Sequence, residues 1–148
     1  MEQKDFVASI FKTFSLDLNT LPSRIAFQKT IYLLQKLSSK NDFLFGWNNF
    51  GPYSSELAHV GFSINEVDIV NAQIAIGLNI DKFKELVKGY EKDSRFLEIL
   101  SDIIFIKEEM KKDKEEDIFL ELVNHRTYLG DKDLFKLAMG RLAKFNLI

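Results

Sequence analysis

The chain has 148 residues, 46% apolar and 28% charged, which places it with soluble single-domain proteins and excludes the disordered, collagen-like and membrane classes. Twenty Lys and Arg against 22 Asp and Glu leave a formal charge of -2, so coating of nucleic acid by bulk charge is excluded and only local basic patches remain. Cysteine is absent, which rules out disulfides, thiolate metal sites, iron–sulfur clusters and a cysteine nucleophile, and makes a cytoplasmic location the expectation.

Residues 1–14 mix Glu2, Lys4, Asp5 and Lys12 with a short apolar stripe, unlike a signal peptide. No stretch approaches the roughly 18 apolar residues that span a bilayer, so no membrane association is expected. In that first segment Phe6, Val7, Ile10, Phe11 and Phe14 recur at helical spacing and predict an amphipathic helix. Pro22 suits a first helical turn, and a second helix is predicted from there to about Ser38. Ala26, Phe27, Thr30, Ile31, Leu33, Leu34 and Leu37 give it one broad apolar face. Arg24, Gln28, Tyr32 and Gln35, with Lys29 and Lys36 beside them, gather its polar groups in one stripe, read as solvent-facing.

From Asn41 to Phe50 the period changes to two, with Phe43, Phe45 and Trp47 on one side, which predicts a short strand. Gly51-Pro52 is a turn signal, Ser54 or Ser55 can cap the helix that follows, and Glu56 falls in its first turn. That helix is expected to reach about Val60. Val67 and Ile69, then Ile74, Ile76 and Leu78, alternate around Asn71-Ala72-Gln73 and suggest a small hairpin. Helical spacing returns at Asp81, a plausible N-cap, with Phe83, Leu86, Val87 and Tyr90. Phe96 to Ile106 is the densest apolar run and predicts a central helix buried on most sides. Lys107 to Asp117, charged throughout except for Met110, reads as a solvated helix end or loop. Ile118 to Val123 gives a further short helix, and Asp131 caps a last one through Leu134, Phe135, Ala138, Leu142 and Phe145. The expectation is one mainly helical domain, 1–148, with a small β element of winged-helix kind.

Catalytic signals are weak. His59 and His125 form neither a close pair nor an HExxH spacing, so no metal is expected. Ser54 lacks the glycine spacing of a nucleophile elbow, and no phosphate-cradling glycine run exists, so no cofactor and no catalytic residue is named. An enzyme would require the fold to bring a histidine beside Ser54 or a buried carboxylate. Most of the 14 Phe fit core spacing, while Tyr32, Trp47 and Tyr53 sit near the polar stripe or the Gly-Pro turn, where an amphipathic ring can meet a partner.

The run Arg24 to Leu34, containing Gln28-Lys29 and Tyr32-Leu33, followed by Phe45-Gly46-Trp47, Phe50-Gly51-Pro52-Tyr53-Ser54 and Glu56-Leu57, resembles the YwgA-like uncharacterised proteins, and more distantly the Panacea or SocA-like antitoxin domains. The closing helices through Ala138, Leu142 and Phe145 are similar as well. The resemblance implies a mostly helical fold with a small β element but no reaction or ligand. Tyr53-Ser54 replaces the Gly-Pro-Val turn of the antitoxin branch and draws the chain toward the YwgA-like one.

Two functions compete. One is a non-enzymatic regulatory or protein-interaction module, antitoxin-like or an adaptor, docking a protein partner through a surface of Arg24, Gln28, Lys29, Tyr32, Trp47, Tyr53 and Ser54. The other is a winged-helix DNA-binding regulator, with residues 67–78 as the wing and Arg24, Lys29 and Lys36 on phosphates. Exposed aromatic rings would also suit a homodimer. The first reading requires the helix around Gln28 to keep its amide and ammonium groups free beside Pro52.

Overall fold

The protein is described by a computed structural model covering residues 2–148. Among these residues it is mainly helical, with eight α-helices and one two-stranded antiparallel hairpin. Helix α1 (Gln3–Phe14) ends where Ser15 turns left-handed and returns its N–H to Phe11. Helix α2 (Leu21–Ser38) starts from a reciprocal cap, Thr20 with Ser23, and carries Pro22 in its first turn, where no intrahelical N–H is needed.

The segment after α2 folds as strand β1 (Gly46–Asn48) and strand β2 (Gly51–Tyr53), with Trp47 opposite Pro52. The expected turn at Gly51-Pro52 is therefore displaced: Asn49-Phe50 makes the turn and Gly51-Pro52 belongs to the second strand. Two features permit this. Gly51 adopts φ 91°, open to glycine, and Pro52 lies in a two-stranded ribbon where a missing donor is tolerated.

Helix α3 (Ser55–Ser63) is capped by Ser54, whose hydroxyl accepts the Leu57 N–H. It outlasts the expected end at Val60 by three residues.

The predicted hairpin at 67–78 does not form. Asn65 and Asp68 cap each other's backbone and open helix α4 (Glu66–Asn71); an irregular stretch follows, then helix α5 (Leu78–Leu86). The period-two pattern there came from two unrelated sources: Val67 and Ile69 fall within α4, and Ile74 and Ile76 lie in the irregular stretch. Helix α5 begins three residues before Asp81, which stands in its first turn while Gly77 occupies the cap.

Helix α6 (Ser94–Glu109), capped by Asp93, runs through the centre. Phe96, Leu97, Ile99, Leu100, Ile103, Ile104 and Ile106 are fully enclosed, each contributing about 1.5–3 kcal/mol on burial. Around it lie α2, β2, helix α7 (Glu115–His125), and helix α8 (Lys132–Lys144), which is capped by Asp131. A single 3-10 turn, Thr127–Leu129, joins the last two. The charged stretch 107–117 holds the expected helix end and loop, and its last three residues form the acidic first turn of α7, three residues earlier than the expected start at Ile118.

Candidate functional site

Helix α2 is enclosed on every side through its middle: eleven consecutive residues, Ile25 to Gln35, are buried. The polar stripe exists as the spacing predicts, but it faces inward, because the segment 43–54 lies over it. A three-residue strand satisfies few of its own backbone groups, and the stripe supplies the rest. The Gln35 amide donates to the Phe43 carbonyl and accepts its N–H at 3.1 and 2.8 Å. Gln28 does the same for Ser54, both at 2.9 Å, and the Lys29 ammonium donates to the Pro52 carbonyl. From the opposite side Arg126, at the end of α7, donates to the carbonyls of Asn48 and Asn49. The hairpin is thus held by side chains on both flanks.

Beneath the hairpin these cations meet carboxylates of α6. Asp102 Oδ2 lies 3.4 Å from Arg126 Nη1, and both residues are buried. A Cβ on Gly51 would stand 2.1 Å from Asp102 Oδ1 and 3.5 Å from Lys29 Nζ, so the hairpin backbone rests directly on this ionic cluster. One turn earlier Glu98 is also buried, and Tyr128 donates to its Oε2 at 2.7 Å. Burial pushes the Asp102 carboxyl up to about 7 against the pull of Arg126 and Lys29, and pushes the Lys29 ammonium down to about 8 against the pull of Asp102. Burial likewise raises Glu98, opposed by the Tyr128 hydrogen bond and by Lys29. Trp47 closes the outer end, with the Arg126 guanidinium 4.3 Å from its ring centre, Phe105 stacked on it and His125 meeting it edge-on. This cluster is a clasp: Lys29 and Arg126 donate to the hairpin, Lys29, Glu98, Asp102 and Arg126 are buried, and among the described residues Arg126 Nη1 and both Asp102 oxygens make no hydrogen bond.

The expected docking surface is therefore corrected. Gln28, Lys29, Tyr32 and Ser54 are buried, Arg24 and Trp47 are half-buried, and Tyr53 alone of the seven is exposed. Tyr32 packs edge-on against Phe45, and burial drives its hydroxyl far above the ordinary range. The structure does join four of the seven: Arg24, Gln28, Lys29 and Tyr53 border one open cavity of about 410 Å³ between the start of α2, the hairpin turn and α3.

A second surface feature falls outside the expected residues. Val67, Val70, Ile74, Ile76 and Leu78 are each more than half exposed, Ile76 reaching 88%. The backbone below them is tied to α1: Ser9 Oγ donates to the Gln73 carbonyl, Thr13 Oγ1 accepts the Ala75 N–H at 2.8 Å, and Lys12 donates to the carbonyls of Val70 and Ala72. Sequence reasoning missed Glu98, Asp102 and Arg126. Two carboxylates four apart inside the densest apolar run were the available signal, since a charge at such a position needs a buried partner. Among the described residues no group of three His, Asp or Glu side chains is placed to hold a metal ion, and no helix is long and apolar enough to cross a membrane. No known family, curated protein or solved structure matches this chain.

Proposed function

We propose that the protein is a non-enzymatic regulatory or protein-interaction module, and that it docks its partner on the apolar segment 67–78 rather than on the stripe of α2. The observation that carries this reading is five large aliphatic side chains, each more than half exposed, within twelve residues. Burying each contributes about 1.5–3 kcal/mol, enough together to offset the roughly 4–15 kcal/mol lost on association. The occupant is an extended apolar segment of a partner protein. Ser9 and Thr13 engage residues 73 and 75 from the α1 side, which leaves the Ile74 and Ile76 side chains facing outward. Glu66, exposed beside Val67 with no cation within 4 Å among the described residues, asks for a Lys or Arg flanking that segment.

The test is affinity capture from native lysate with the wild-type chain and with an Ile74→Ser/Ile76→Ser variant, followed by a binding titration of the purified partner. Both changes lie on the surface, so the variant should melt within a few degrees of the wild type. A stoichiometric protein that binds the wild type and loses at least tenfold affinity for the variant supports the reading. Equal binding to both, or retention of nucleic acid in place of protein, overturns it; salt-sensitive retention of DNA would favour a DNA-binding regulator.

A further inference from the structure

The cavity beside the hairpin is independent of the 67–78 surface, and its lining carries a chemical preference. Thirteen residues border it, two of them basic and none acidic, in a chain where acids outnumber bases 22 to 20. The two bases are not equivalent. Lys29 has given its ammonium to the Pro52 carbonyl and to the field of Asp102. Arg24 spends one hydrogen bond on the Leu18 carbonyl at 3.0 Å, and among the described residues no carboxylate lies within 4 Å of its guanidinium. Most of its five N–H donors stay available at the cavity wall.

Asn48 in the lining points the same way. Asn48 uses its side-chain oxygen to accept the Asn49 N–H at 2.7 Å, which leaves its amide nitrogen as a donor. The remaining wall is apolar, including Leu21, Phe27, Phe50, Ala58 and Phe62. Gln28 and Lys29 form part of the lining while locked onto Ser54 and Pro52, so its shape is set before anything binds. A volume of about 410 Å³ lies within the ordinary range for small-molecule sites.

We infer that this cavity binds a small amphipathic carboxylate, its apolar body against Leu21, Phe50 and Phe62 and its carboxylate on the Arg24 guanidinium. The planar fork of an arginine matches a carboxylate through two parallel hydrogen bonds, and a single uncommitted cation suits a monoanion better than a polyphosphate. A medium-chain fatty acid or an arylalkanoate has both parts.

The experiment is calorimetric titration with decanoate, decanol and decyltrimethylammonium below their micelle concentrations, repeated with 4-phenylbutyrate, using the whole chain. Amide spectra assigned for Asn48, Asn49 and the Arg24 Nε report the location. Decanoate should bind at one site, at least tenfold tighter than decanol, and the cation should be weakest. Arg24→Gln should erase the preference for decanoate while leaving decanol binding in place, and Phe62→Glu, a change at an exposed side chain, should weaken decanoate at least tenfold with melting unaltered. Saturable binding of decanoate with these responses establishes the site. Absence of saturable binding, equal affinity for decanol, or an undiminished preference in Arg24→Gln overturns it. None of these outcomes bears on partner docking at 67–78, which involves no residue of the cavity.

Discussion

Gly51 shows how much one residue decides. Its φ of 91° is strained for any side chain, and a Cβ would intrude to 2.1 Å from Asp102 Oδ1, which cannot retreat because it is fully buried. Gly51→Ala should therefore cost the left-handed strain of about 1 kcal/mol together with displacement of a buried carboxylate, about 3 kcal/mol or more in all. Gly46→Ala, where nothing stands within 4 Å, should shift stability by no more than about 0.5 kcal/mol. Urea unfolding of the two variants checks the contrast, and equal losses would show that the hairpin does not sit on the ionic cluster. The sequence marks Gly51 as special through the Gly-Pro pair, but for the wrong reason. It is needed for close approach to Asp102 and not for a turn.

Between elements, side chains replace missing secondary structure. Ser9 and Thr13, four apart on one face of α1, hold the backbone of residues 73 and 75, and Lys12 holds residues 70 and 72. Each such bond contributes about 0.5–1.5 kcal/mol net. Ser9→Ala/Thr13→Val should therefore loosen residues 72–77 selectively. Hydrogen exchange at Ala75 should accelerate, while the amides of α6 slow or quicken only with global stability. Unchanged exchange at Ala75 would mean that the segment is held by something else. Most of the helices were legible from their apolar faces, and two of them also from a capping residue, Ser54 or Asp131. Residues 67–78 were misread because alternation over a few residues does not separate a strand from a short helix followed by coil. The Asn65-Asp68 cap was the discriminating signal.

At the scale of the molecule, the ionic cluster makes stability depend on pH. Asp102 has a folded value of about 7 against an ordinary 3.8, so the folded chain holds its proton more tightly. The associated stability is present at low pH and is lost as pH rises from about 4 to about 7. Lys29, depressed from 10.5 to about 8, acts in the opposite sense, restoring stability as pH climbs through that interval. Exposed Asp17 and Glu91 and half-buried Asp68, all lowered by hydrogen bonds, add a contrary slope at low pH that is common to wild type and variant. The comparison with Asp102→Asn removes it. Between about pH 4.5 and about pH 7.5 the wild type should lose stability relative to Asp102→Asn in urea titrations, and a constant difference would show that Asp102 titrates normally.

The sequence by itself determined a mainly helical domain, the caps at Ser54 and Asp131, the central burial of residues 96–106 and the gathering of polar groups on one stripe of α2, since periodicity and capping are local properties. Only the tertiary structure decided which way that stripe faces. An amide row at Gln28 and Gln35 looks the same whether water or another segment's backbone satisfies it; here the backbone on either side of the short hairpin, at Phe43 and Ser54, lies over the row and takes its hydrogen bonds. The same packing joined Lys29, Asp102 and Arg126 from distant parts of the chain and left the aliphatic groups of 67–78 outside, and neither outcome is encoded within any single window of residues.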